Sequence, residues 1–303
     1  MEIKILKVET LKDNERIDKF IASEIDDYSR TFVQELIKNG NVTVNNNVVK
    51  SNYKLNLNDI ISINVPDPVI NDAKPENIPL DIYYEDSDVI VVNKPSGMVV
   101  HPAVGNFTGT LVNALMYHCK DLSRIGGEIR AGIVHRIDKD TSGLLVACKN
   151  DFAHQDLSMQ FFEKTVERKY YAICCGVIPH NIGKIDAPIA RDLNDRQKMG
   201  IVENGKHAVT HFKVIERFKN HTLIECELET GRTHQIRVHM KYIGYPVLGD
   251  PLYGHKKDVD PIYGQYLHAK TLGFIHPRSK KTMHFESPLP EYFVKKLEEV
   301  KNL

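Results

Sequence analysis

The chain lacks the marks of a membrane-bound, secreted or metal-dependent protein. None of its apolar runs approaches the roughly 18–20 residues needed to cross a bilayer, so no membrane partner is expected. Met1 to Lys7 alternate charged and apolar side chains and carry no signal-peptide core. No C-x-x-C pair occurs, and Cys119, Cys148, Cys174, Cys175 and Cys226 follow no regular spacing. They read as reduced thiols rather than as a disulfide frame or zinc site, and the expected compartment is the cytoplasm. Excess charge of either sign is also missing, since Lys plus Arg and Asp plus Glu both number 40. A dedicated nucleic-acid binder is usually strongly basic, so any such surface here has to be local. The 14 histidines invite a metal, but no H-E-x-x-H is present. His207 and His211 fall on an extended stretch, where four residues span about 13 Å, too far for one ion. Neither a metal nor an organic cofactor is expected. Gly200 to Lys206 imitates a phosphate loop, but His207 stands where Ser or Thr would bind magnesium, so it reads as a turn.

What is present is enough apolar material for a sizeable core, 42% of 303 residues, and a length that suits two domains. Pro66, Pro68, Pro75 and Pro79 lie among Asp, Asn and Lys, a composition that stays extended. The expected division is a domain over 1–66, a linker over 67–79 and a larger domain over 80–303. In the first, Ile17, Phe20, Ile21 and Ile25 fall at helical spacing. A second helix starts with Ser29 as its cap and stops before Gly40, with Phe32, Val33, Leu36 and Ile37 as its apolar stripe. Arg30, Gln34 and Lys38 recur on another face of it. A strand from Val42 to Asn45, an asparagine turn and a last strand over Asp59 to Val65 follow. In the second domain, strands are expected at 82–84, 89–93, 166–174, 208–215 and 222–228, with helices at 108–119, 151–162, 233–243 and 291–301. Without strict β-α-β alternation, this order argues an α+β fold with a largely antiparallel sheet rather than a doubly wound one.

The richest segment is 131–149. Ile133 and Val134 lead into His135, Arg136 and Asp138; Thr141, Ser142 and Gly143 turn the chain into a second apolar run, Leu144 to Ala147. That reads as strand, polar loop, strand, with a carboxylate at the tip. Alone, such a carboxylate is as often a turn former. Three further segments keep it company: Asn93-Lys94-Pro95 through His101-Pro102, Val166 through Gly176 with Tyr170 inside it, and Thr230-Gly231-Arg232-Thr233-His234-Gln235-Ile236-Arg237 with Leu248-Gly249-Asp250 and Tyr253-Gly254 downstream. In this order the four segments resemble the RluA-type pseudouridine synthase family over most of residues 80–285. Residues 14–65 resemble the S4 RNA-binding domain. Residues 99–115 resemble the RluD-like subgroup, the large-subunit ribosomal RNA synthases.

The resemblance implies isomerisation of uridine in structured RNA, with no DNA partner. The bond from ribose to N1 breaks, the uracil rotates, and C5 joins the same ribose carbon. It implies Asp138 as the catalytic carboxylate, with nucleophile and base both open. It implies Arg237 as the neighbouring cation, expected to pair bidentately with Asp138, and Tyr170 as the ring against the target base. Tyr171 is expected on the opposite face of the strand. A base inside a helical stack is out of reach and has to be extruded; Arg136 is the residue expected to fill the gap, with His135 and Thr141 shaping the loop. Arg30, Gln34 and Lys38 become the expected RNA contacts of the S4-like part. Two alternatives stay open: a non-catalytic RNA-binding or ribosome-assembly factor, and the same chemistry on transfer RNA.

Overall fold

A computed structural model describes residues 2–9, 15–25, 30–65, 73–103, 106–125, 127–192, 195 and 198–302. The helix cap expected at Ser29 and the first part of the expected linker lie outside them. The chain divides into two compact units, Met1–Asn71 and Asp72–Leu303. No helix among the described residues is long and apolar enough to cross a membrane.

In the first unit the elements run β1 (Glu2–Lys7), α1 (Ile17–Glu24), α2 (Arg30–Lys38), β2 (Val42–Val44), β3 (Asn47–Val48) and β4 (Ile60–Val65). The antiparallel sheet has the order β1-β4-β2-β3. Ile17, Phe20 and Ile21 of α1 and Val33, Leu36 and Ile37 of α2 bury against Val42, Val44, Ile61 and Ile63 of the sheet. The β2–β3 turn needs positive φ at both central positions, and Asn45 and Asn46 supply 49° and 66°. β1 is an addition to the expected elements; its alternating residues pair with β4.

The second unit is mixed α and β around one large sheet. Its elements are β5 (Ile82–Glu85), β6 (Val89–Lys94), α3 (Leu111–His118), β7 (Ser142–Cys148), α4 (Asp151–Phe162), β8 (Glu167–Cys175), β9 (Ile182–Asp186), β10 (Ile189–Arg191), β11 (Met199–Ile201), β12 (Val209–Arg217), β13 (His221–Leu228), α5 (Gln235–Tyr242), β14 (Leu267–Ile275), β15 (Thr282–Glu286) and α6 (Glu291–Lys301). The main sheet runs β5-β6-β7-β14-β8-β13-β12-β9, with β15 also on β14 and β10 paired to β11 alone. Its pairings are antiparallel except β7 with β14.

The continuous apolar runs of β6 and β7 are buried on both faces, which is why they lack polar alternation. Ile90, Val92, Leu145 and Ala147 pack with α3 and α5; Val89, Val91, Leu144 and Val146 pack with α4. Further along, Ile173 and Cys175 of β8 pack against Phe293 and Leu297 of α6.

Two local expectations are corrected, and one stretch is held more firmly than its composition suggests. The approach at Ile133 and Val134 is no strand: it makes a single bridge, Ile133 to Ala147. The Val146 amide there is taken by the His135 imidazole at 3.1 Å instead of by a strand carbonyl. Ser142 and Gly143 do not form a turn but open β7, paired with His268 and Ala269 of β14. Gly143 has φ 119°, and a Cβ on it would sit 2.3 Å from the Ala269 carbonyl oxygen, so only glycine fits. Finally, the described part of the expected linker is fastened down. Ala73 is buried beside Val112 and Ala131, the Asn113 amide donates to the Lys74 carbonyl at 2.7 Å, and the Glu76 carboxylate accepts from the Gly109 N–H.

Candidate active site

Asp138 sits on the irregular segment before β7, and that segment is pinned from several sides. Ile137 is buried in the main core. The Lys94 ammonium, 1% exposed, donates to the carbonyls of Pro95, Met98 and Lys139 at 2.8, 2.7 and 2.9 Å. Burial pulls the Lys94 pKa down to about 7, with Asp138 and Asp140 working against the fall. The buried Thr141 hydroxyl accepts from Gln265 at 3.0 Å. These bonds leave the Asp138 side chain 22% exposed on the wall of a cleft of about 880 Å³.

Arg237 arrives from α5. That helix starts at His234, which holds a left-handed φ of 57°, and the Gln235 side chain, buried among Thr230, Arg232, Val209 and Thr210, fixes the entry. The guanidinium divides its donors. Nε and one terminal nitrogen grip the fully buried Asp250 at 2.7 and 2.9 Å, and the other terminal nitrogen reaches Asp138 at 2.9 Å. The bidentate pair is therefore with Asp250, not with Asp138 as expected. Asp250 has no water to turn to, so it claims the fork, and the partly exposed Asp138 takes the single remaining bond. Burial works against the charge of Arg237, but the Asp250 hydrogen bonds and both carboxylates outweigh it and raise its pKa.

Around this pair, Tyr253 lies under the guanidinium at 5.1 Å and accepts from the Met199 N–H. Its hydroxyl also shares a hydrogen bond with His234 Nδ1 at 2.8 Å, and His234 Nε2 lies 4.0 Å from Asp138. Burial lowers the His234 pKa, with Asp138 opposing, so the ring is held toward its neutral form.

Tyr170 lines the cleft and is 7% exposed, and Tyr171 packs with the α6 side of the sheet, as the two-residue period requires. Burial outweighs the opposing charge of Arg168 and, with Asp138 adding, raises the Tyr170 pKa and keeps the phenol neutral. His135 stacks on Phe161 at 4.5 Å and is pushed down to about 3 by burial and the charge of Arg168, so it is a neutral anchor for the loop. Arg136 is exposed and donates to the Thr233 hydroxyl at 2.9 Å.

Asp138, Tyr170, Arg237, Arg136, His135 and Thr141 thus line one cleft. Arg30, Gln34 and Lys38 belong to the first unit, and their face is less free than expected. Arg30 and Gln34 donate to the buried Asp18 at 3.0 and 2.6 Å, and Arg16 joins them; Lys38 is exposed. Burial opposes the charge on Asp18, but the hydrogen bonds of Arg16, Gln34 and Arg30 hold its carboxyl below the usual range. Sequence reasoning assigns no role to Asp250, His234, Tyr253 or Lys94. All four stand inside the motifs named above, so a signal is there, but nothing in the spacing says which donor meets which acceptor.

Comparison with known proteins gives the family. The RNA pseudouridylate synthase family model matches residues 88–242, and the S4 domain model matches residues 15–61. An RNA pseudouridine synthase of Bacillus subtilis, YlyB, is 59% identical over 288 residues, covering 95% of each chain. The ribosomal large subunit pseudouridine synthase D of Zymomonas mobilis is 48% identical over 288 residues, covering 91% of this chain and 90% of its own. Human RNA pseudouridylate synthase domain containing 1 shares the fold, with a TM-score of 0.58 and 24% identity over 75% of this chain and 97% of that one. The chain belongs to the RNA pseudouridine synthase family, with an S4 RNA-binding domain at its N-terminal side.

Proposed function

We propose that Asp138 carries the isomerisation, and that the substrate is large-subunit ribosomal RNA. The observation that supports the first part is a half-sheltered carboxylate on a cleft wall, oriented by one N–H of an arginine that a second, buried carboxylate immobilises. The reaction asks for such a group near the ribose. When the N1 bond to ribose breaks and the C5 bond forms, C5 gives up a proton and N1 gains one, so nothing else enters or leaves. A short carboxylate with one fixed rotamer suits attack or proton abstraction at the sugar. Tyr170, neutral and facing the cleft, supplies a flat apolar wall for the uracil. Arg136, exposed on the rim and tethered to Thr233, takes the space that the extruded base leaves.

The substrate assignment draws on relatives in Zymomonas, Neisseria and Pseudomonas whose names specify the ribosomal large subunit. In this reading residues 1–66 hold structured RNA, with Arg30, Gln34 and Lys38 on the contacting face, residues 67–79 join the parts, and residues 80–303 do the chemistry in the cytoplasm without a cofactor. Asp138→Asn tests the core of it. Large-subunit RNA from cells carrying only this variant lacks specific pseudouridines, while the purified variant still binds that RNA. Product at the wild-type level would overturn the assignment of Asp138. Pseudouridines missing from transfer RNA instead of ribosomal RNA would overturn the substrate.

A further inference from the structure

The cleft around Asp138 holds a second buried cation that the isomerisation does not use. Arg168 lies on β8 two residues before Tyr170, faces the same side of the strand, and is 8% exposed. Its guanidinium rests over the Phe161 ring at 5.4 Å and makes one long bond, 3.4 Å, to the Leu228 carbonyl. Its Nε is buried with no hydrogen-bond partner. Among the described residues no carboxylate pairs with it. The two carboxylates that line the cleft are engaged elsewhere, Asp138 by Arg237 and Glu229 by His211.

Buried arginines normally come with their counter-charge, as Arg237 does with Asp250. Arg168 has none from the protein, and the open side of its environment is the cleft. The adjoining loop leaves it room. A Cβ on Gly231 would lie 2.9 Å from the near terminal nitrogen of Arg168, so the absence of a side chain there lets the fork keep its place.

The missing anion has a natural source in the substrate class. Uridine itself is neutral, and the only charge along an RNA strand is the phosphodiester, whose oxygens match a guanidinium fork. Two residues along a strand span about 6.6 Å, which sets Arg168 within one nucleotide of a base lying against Tyr170. The surroundings have the right sign: Arg130, Arg136, Lys164, Arg168, Arg232 and Arg237 line the cleft against two carboxylates, so a chain with no net charge still presents a cationic pocket.

We propose that Arg168 is a phosphate-binding residue, taking a phosphodiester oxygen of the strand beside the extruded uridine when RNA enters the cleft. This rests on the uridine lying at Asp138. The test uses the full chain and a large-subunit ribosomal RNA fragment that carries a mapped target uridine, with affinity measured from about 50 to 200 mM salt. Arg168→Met weakens binding roughly ten- to a hundredfold and lowers the slope of log affinity against log salt by about 0.7 to 0.9, the share of one phosphate. Arg168→Lys keeps the slope and loses only part of the affinity. If Arg168 merely packs on Phe161, the methionine leaves the slope unchanged, and that result overturns the proposal. Should Arg168→Met fail to fold, the lysine variant decides, since wild-type affinity in it would also overturn the proposal. An unmoved slope beside a dead Asp138→Asn enzyme sinks this inference alone; an active Asp138→Asn enzyme sinks the site assignment instead.

Discussion

Removing the charge of Asp250 should cost more stability than removing that of Asp138, although Asp138 is proposed to do the chemistry. Asp250 has no exposure and accepts four hydrogen bonds: two from Arg237 and one each from the amides of Leu252 and Tyr253. In Asp250→Asn the new amide nitrogen has to face a donor. The best placement keeps oxygen toward the three donors on one side and sets the NH2 group against Arg237 Nε. Arg237, itself 5% exposed, is then left with Asp138 as its single carboxylate. Breaking one partner of a buried pair costs about 3–5 kcal/mol. Asp138→Asn removes a 22% exposed carboxylate with one bond, while Asp250 still compensates the arginine, so its cost stays within about 1 kcal/mol. Urea titration followed by circular dichroism measures both, with turnover assayed on the same preparations. Asp250→Asn is then unstable, and its activity falls because Arg237 no longer aims at Asp138; Asp138→Asn is stable and inactive. An Asp250→Asn loss below about 1 kcal/mol, or one smaller than that of Asp138→Asn, would refute the claim that Asp250 is the main electrostatic partner.

Stability should also fall in mild acid. Burial, with the charge of Lys270, pushes His268 down to about 4, and burial with Arg168 pushes His135 to about 3. Below the unfolded value near pH 6.5, the unfolded chain takes up protons that the folded chain refuses. Each histidine therefore contributes stability that is full above about pH 6.5 and declines toward pH 4, by at most about 1.4 kcal/mol per pH unit. Urea midpoints that stay level from about pH 7 to pH 5 would contradict this. Gly143→Ala forces a methyl group into the Ala269 backbone and should cost at least about 2 kcal/mol, read as a lowered melting temperature or loss of soluble protein. A melting temperature equal to wild type would show that β7 and β14 part more easily than their register implies.

Much of the cleft is legible in the amino-acid sequence. The order of the four motifs points to its residues, and the period of a strand sorts Tyr170 from Tyr171. The bidentate partner of Arg237 is not legible, because spacing shows which groups are available, not which one is fully desolvated. Burial decides in favour of Asp250. Ile133 and Val134 read as a strand because apolar neighbours look alike whether they pair or merely pack; a histidine side chain takes the amide that pairing would use. Pro75 and Pro79 say nothing of what holds their stretch, and the Asn113 side chain, which fastens Lys74, lies far along the chain. The grip of Arg30 and Gln34 on Asp18 is invisible in the sequence because the carboxylate comes from the other helix.

The join between β7 and β14 is only two residues long, Ser142 on His268 and Gly143 on Ala269, and it is the seam between two halves of the sheet. Asp138 hangs just before the seam on one side; Tyr170 and Arg237 come from beyond it on the other. A small opening there would pull the carboxylate away from its arginine while each half kept its own strands. Turnover should then fade on warming before the circular dichroism signal does.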